Sequence, residues 1–156
     1  MSKGISGLFS GTSGNQIVIA SHQYALRPET TAEVWKHIKA TKENYNGTVL
    51  PKSFVVDVPV TKDTPSGKMW THENATKHVY ERISSIKDDP RIKNYNPALY
   101  TQFILYDYYK TIGNAVKNGV NYEKMLTYGN WELVFSKPRK EKDYPVIKHA
   151  KFIGFH

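Results

Sequence analysis

Cysteine is absent from all 156 residues. Disulfides, thiol nucleophiles and cysteine zinc sites are therefore excluded. Long apolar runs are absent too: no stretch approaches the roughly 20 residues of a membrane-spanning helix. The opening residues, MSKGISGLFSGTSGN, lack the apolar core of a secretory signal. Export would depend on something outside this chain, or on a longer parent protein. No internal repeat is visible. The HExxH zinc pattern is missing, because His72-Glu73 is followed by Asn74, Ala75 and Thr76. No carboxylate-rich or His-rich ligand set appears either, so the expectation is neither metal nor cofactor. Acidic residues are scarce: 14 Asp and Glu stand against 22 Lys and Arg, a formal net charge of +8. A surface of that sign attracts nucleic acid, anionic membrane or an acidic protein. A basic protein without a polyanion partner is the plain alternative.

What is present is enough to fold. Hydrophobic residues make up 39% and aromatic residues 13%. The length predicts one domain over residues 16–156, preceded by a flexible Gly/Ser-rich lead over 1–15. QIVIA at 16–20 reads as a short edge strand or a hydrophobic clip. Thr30 or Thr31 can cap a helix running to about Lys42, with Val34, Trp35 and Ile38 as its apolar side. His37 on that helix reads as a solvated surface residue. Asn46-Gly47 marks a turn. Residues 53–60 and 68–71 read as a hairpin with a longer loop. Asn74 can cap a helix from Ala75 to about Lys87, whose apolar stripe is Ala75, Val79, Ile83 and Ile86. Asp88-Asp89-Pro90 ends it. A longer helix is expected from about Ala98 to Asn118, with Leu105, Tyr109, Ile112 and Val116 facing the core and Gly119 as its C-terminal cap. The segment 122–126 then bridges to two final strands.

Those strands, within WELVFSKPRKEKDYPVIKHAKF, carry the strongest pattern. Trp131, Leu133 and Phe135 alternate with Glu132, Val134 and Ser136, as in a half-buried antiparallel strand. A charged loop holding Lys137, Arg139, Lys140, Glu141 and Lys142 follows. Simple alternation in the second strand puts Lys148 on the face of Val146 and His149 on the face of Ile147. The sum is an α+β domain, with helices packed on one face of a small, mainly antiparallel sheet of four or five strands.

Two clusters carry titratable chemistry. His72, Thr76, Lys77 and His78 gather at a strand-to-helix junction, where unpaired backbone N–H groups favour an anion. Ser136, Arg139, Lys148 and His149 gather on the final hairpin. Each has a bland reading: Asn74 as no more than a cap, His78 as a packing residue, and the hairpin as a solvated basic surface. The chemical reading is metal-free RNA cleavage, in which the 2′-OH attacks the adjacent phosphorus. That reaction needs a base, an acid and cations, and imidazole titrates in the required range. His78 and His149 are the expected acid and base, with His72 able to replace either. Lys148 joins them at the reacting centre. Arg139 and Lys77 bind phosphate, and Ser136 and Thr76 supply hydrogen bonds. Trp131 and Tyr144 are candidates to stack on a base, although Trp131 alternates with core residues.

The phrases LPKSF (50–54), GKMWTHENATKH (67–78), GNWELVFSKPR (129–139) and PVIKHAKF (145–152) resemble the bacterial polymorphic toxin type fifty C-terminal domain. They are also similar to nuclease-like domains borne by phages. The resemblance covers roughly residues 45–153. It implies the barnase–EndoU–colicin–RelE fold of metal-independent ribonucleases. It implies an endoribonuclease toxin of interbacterial competition, monomeric, acting on RNA with tRNA among the candidates. Its cognate immunity protein would be acidic, and the toxin would act in the target-cell cytoplasm or be phage-associated. The family's motif falls on His72, Thr76, Lys77 and His78, and on Trp131, Ser136, Pro138, Arg139, Lys148 and His149. Where that family often has Pro after the first His, this chain has Glu73, expected to favour the protonated form of His72. A non-catalytic nucleic-acid-binding or phage accessory protein on the same fold is the alternative.

Overall fold

The alternation of Trp131, Leu133 and Phe135 is the pattern around which the sheet closes. All three side chains are fully buried, each worth roughly 1.5–3 kcal/mol of apolar transfer. The computed structural model describes residues 16–19, 22–25, 32–86, 92–93, 97–139 and 143–154. The Gly/Ser lead, the Thr30/Thr31 cap, the Asp88–Pro90 stop and the loop centre at Lys140, Glu141 and Lys142 lie outside those residues. In chain order the elements are β1 (Gln16–Ile19), β2 (His22–Ala25), α1 (Val34–His37), β3 (Ile38–Ala40), β4 (Phe54–Asp57), β5 (Lys68–Thr71), α2 (Glu73–Ile86), β6 (Ile92–Lys93), α3 (Pro97–Lys117), β7 (Leu126–Tyr128), β8 (Trp131–Ser136) and β9 (Val146–Phe152).

The fold is α+β. Its main sheet has six strands in the order β3-β4-β5-β9-β8-β7, one more than the upper expectation. Every pairing is antiparallel except β5 with β9, which is parallel. A separate ladder orders β2-β1-β6. The main sheet gains two strands the sequence does not suggest, β3, where a helix is expected, and β7, which follows the segment read as a bridge, whereas the strand at 16–19 pairs in the separate ladder.

Helix α3 supplies the other half of the core. Tyr100, Ile104, Leu105, Tyr108, Ile112 and Val116 are buried along it. The Tyr108 ring meets Phe54 and Trp131 edge-on, at 5.9 and 5.0 Å between centroids. Its hydroxyl lies 2.7 Å from that of Thr71, and burial pushes its pKa up. The expected stripe named Tyr109 in this place. Tyr109 instead stacks on His37 at 4.5 Å with planes 4° apart, so His37 is a partly covered ring with Asp57 at 3.4 Å, not a solvated one. The Trp131 indole N–H donates to Asp107 at 2.9 Å, and burial raises that carboxyl's pKa.

Two local expectations give way to pairing across the sheet. The helix expected to reach Lys42 stops at His37, because Ile38–Ala40 pairs with Phe54–Val56 as an edge strand. The bonds offered by β4 outweigh the helical spacing of Val34, Trp35 and Ile38. In β9, Val134 pairs with His149 but Phe135 pairs with Ile147. Lys148 is therefore the extra residue of a β-bulge, which reverses the alternation beyond it. Ile147, Ala150 and Phe152 all enter the core, and His149 takes the face opposite α3. The simple alternation had placed His149 with Ile147.

Candidate active site

Helix α2 begins where β5 ends and packs along β9. Its register is set by Ala75, Thr76, Val79 and Ile83, all buried. That leaves His78 half-exposed on the flank facing β9. Its ring meets the ring of His149 edge-on at 5.1 Å. Each imidazole has a carboxylate. His78 Nδ1 lies 3.1 Å from Glu81, one turn further along α2, and His149 Nε2 lies 3.1 Å from Glu132 on β8. A carboxylate only accepts, so both contacts have the imidazole donating. In the neutral rings Nε2 of His78 and Nδ1 of His149 are then the basic nitrogens. The two residues expected as acid and base are brought together.

The other expected residues divide among three places. His72 lies at the N-terminus of α2, where its Nδ1 accepts the Asn74 N–H at 2.9 Å and its carbonyl accepts from Ala75 and Thr76. It caps a helix that starts at Glu73, two positions before the Ala75 start that an Asn74 cap would set. Its ring packs edge-on against Trp70 at 5.0 Å. Burial, then the Arg139 guanidinium, holds His72 below its ordinary pKa. The influence expected of Glu73 is present but outweighed by burial and Arg139, and the Glu73 carboxylate takes a 2.7 Å bond from Lys42. Thr76 is fully buried, with its hydroxyl donating to the Lys52 carbonyl at 2.6 Å and accepting from the Tyr45 hydroxyl at 3.0 Å. It ties the segment between β3 and β4 to α2. Lys77 is exposed on α2.

Lys148, displaced by the bulge, donates to the Glu123 carboxylate, which also takes a hydrogen bond from Ser136. The Lys148 bond, then the Ser136 bond, lowers the pKa of Glu123. Glu123 stands at φ +61°, a left-handed conformation that non-glycine residues rarely hold. Its own N–H is fixed to the Phe135 carbonyl at 2.8 Å. Arg139 lies over the Trp70 ring, 5.3 Å from its centroid. The two line a groove of about 520 Å³ together with Tyr144, Asp143 and Lys42. Trp131 is core, so of the two proposed stacking residues only Tyr144 reaches a groove.

The register places these groups on one side. Trp70 pairs with Val146, Val146 with Ser136, and His149 with Val134. Paired residues share a face, so Trp70, Ser136 and His149 all lie opposite α3. Sequence reasoning gave no role to Glu81, Glu132 or Trp70. Glu81 could have been found from its i,i+3 spacing to His78. Glu132 could not, since its meeting with His149 depends on the bulge. Among the described residues no three His, Asp or Glu side chains form a group that could hold a metal ion. No protein-family model matches the chain, and no curated protein matches it.

Proposed function

We propose that the protein is a metal-independent endoribonuclease that cleaves RNA by 2′-OH transesterification. The observation that carries this reading is the contact of His78 and His149, each held by its own carboxylate. One imidazole takes the 2′-OH proton as the oxygen bonds to phosphorus. The other protonates the departing 5′-oxygen as the P–O5′ bond breaks. The products are a 2′,3′-cyclic phosphate and a free 5′-hydroxyl. Glu81 and Glu132 hold the ring orientations. Lys77 and Lys148, each next in the chain to one of the two histidines, are the cations suited to the charge that develops on the phosphorane. The toxin resemblance of the motifs around these residues supports a role in interbacterial competition, with RNA as target, an acidic immunity protein as inhibitor, and action in the target cytoplasm or in association with phage.

The test is incubation of the purified protein with total bacterial RNA in EDTA, beside His149→Ala. Cleavage by the parent alone, with 2′,3′-cyclic ends, is the expected result. Cleavage that requires added metal overturns the mechanism. A second reading, a nucleic-acid-binding or phage accessory protein without turnover, is favoured by the Arg139–Trp70 pair, which suits stacking more than catalysis. It predicts salt-dependent RNA binding and no cleavage by the folded parent.

A further inference from the structure

The groove beside Trp70 takes no part in the proton transfers, yet it is the better built of the two features for holding a ligand. Trp70 is fixed at its polar edge, where Nε1 donates to Ser53 Oγ at 2.5 Å. Ser53 in turn receives the Thr41 hydroxyl at 2.7 Å and donates to the Thr71 carbonyl at 3.3 Å. The indole N–H is therefore satisfied inside the protein, and the ring is held as a rigid wall. Val55 and Val146 extend the apolar floor. Above the ring stands Arg139, exposed and without a carboxylate partner among the described residues. A guanidinium plane on an aromatic face makes a platform for another flat π-system. Tyr144 offers a second ring at the rim. The volume, about 520 Å³, lies within the range of small-ligand pockets.

We infer that this groove is a nucleobase subsite: it holds a base of the RNA strand stacked on the Trp70–Arg139 pair, with the base edge turned to Asp143. The inference rests on the ribonuclease reading for its choice of RNA, but its test does not use cleavage. Unpaired RNA bases are recognised by stacking on aromatic rings and Arg planes, together with hydrogen bonds to their edges. The Asp143 carboxylate accepts and does not donate. Guanine presents it with two adjacent donors, N1–H and the N2 amino group, whereas uracil presents one. The subsite is therefore expected to prefer guanine. Its position suits a strand passing to the catalytic pair. Trp70 is the register partner of Val146, and His149 lies three residues further along the same strand, about 10 Å at strand rise.

The experiment is titration of the full chain with guanosine monophosphate, uridine monophosphate and ribose 5-phosphate, followed by tryptophan fluorescence and by calorimetry. Guanosine monophosphate should bind more tightly than uridine monophosphate, and ribose 5-phosphate should leave the fluorescence unchanged. Arg139→Ala, an exposed substitution that leaves the core intact, should weaken nucleotide binding roughly tenfold, the loss of one stacking contact. Asp143→Asn should bring the guanine and uracil affinities together. His149→Ala should bind guanosine monophosphate as the parent does. Binding of guanosine monophosphate no tighter than that of ribose 5-phosphate, or an Arg139→Ala variant that binds like the parent, overturns the subsite. Nucleotide binding by a folded parent that cleaves no RNA supports the subsite and removes the ribonuclease reading. Cleavage without nucleotide binding does the reverse.

Discussion

Glu132 and His149 lie diagonally across the β8–β9 ladder, with the imidazole Nε2 3.1 Å from the carboxylate. This bond, made possible by the Lys148 bulge, holds one ring of the proposed acid–base pair against its neighbouring strand. Glu132→Gln keeps an acceptor oxygen but removes the charge. It should lower kcat by about tenfold or more, while His149→Ala should lose about 10²–10⁴-fold, the usual contribution of a general acid or base. RNA binding should be nearly unchanged in both. Single-turnover cleavage measured beside filter binding checks this, and equal losses in binding and turnover would count against it.

His72 makes the stability of α2 depend on pH. Its folded pKa is below the ordinary 6.5, so the unfolded chain binds its proton first as pH falls. The stabilisation is complete above about 6.5, the unfolded value, and is lost as pH falls through the folded value. Protonation at Nδ1 also removes the acceptor of the Asn74 N–H. His72→Ala should cost about 1 kcal/mol at pH 8, comparable to loss of a helix cap. The gap between parent and variant should narrow toward pH 5. Thermal melts of both proteins across pH 5–8 measure it, and a constant gap would refute the cap.

Thr76 separates structure from substrate binding. Its buried hydroxyl serves the Lys52 carbonyl and Tyr45. Thr76→Val should destabilise by about 1–3 kcal/mol, the penalty of leaving a buried polar group unsatisfied. Cleavage by the folded fraction should be unaffected. A loss of RNA affinity at full folding, measured at low temperature, would return Thr76 to the phosphate site.

Glu123 neutralises Lys148. Glu123→Gln removes that counter-charge and should raise RNA affinity at low salt. The slope of log affinity against log salt should steepen by about one, as expected for one added phosphate contact. An unchanged slope would mean that Lys148 does not meet the nucleic acid.

Much of the fold was legible because local patterns and pairing agree. The hairpin of β4 and β5, the long helix ending before Gly119 and the β8 alternation all follow from spacing and turn residues. Gly47, Gly67 and Gly119 stand at positive φ in the turns and cap where they were expected. The failures are of another kind. Ile38 reads as helical until an edge of β4 is available to it. The face of His149 depends on one inserted residue, which no period-two reading detects. Residue type and resemblance suggest His78 and His149 as acid and base, but nothing in the sequence shows that they meet: the parallel β5–β9 pairing brings α2 beside β9. Trp70 reads as a strand residue and no more, because nothing in a strand of four predicts that Arg139 will lie over it.

That parallel pairing also governs how the molecule assembles. Strands β3, β4 and β5 form one set of near neighbours, and β7, β8 and β9 form another. Among the described residues only Trp70–Val146 and Thr71–Ile147 join them as paired residues, across the whole of α2 and α3. Closing so long a loop is entropically slow, so the two hairpin sets should form before they dock. The histidine pair lies on the docking line, one ring from each side. Catalytic competence should therefore appear only in the last kinetic phase of refolding, after most of the hairpin amides are already protected from exchange.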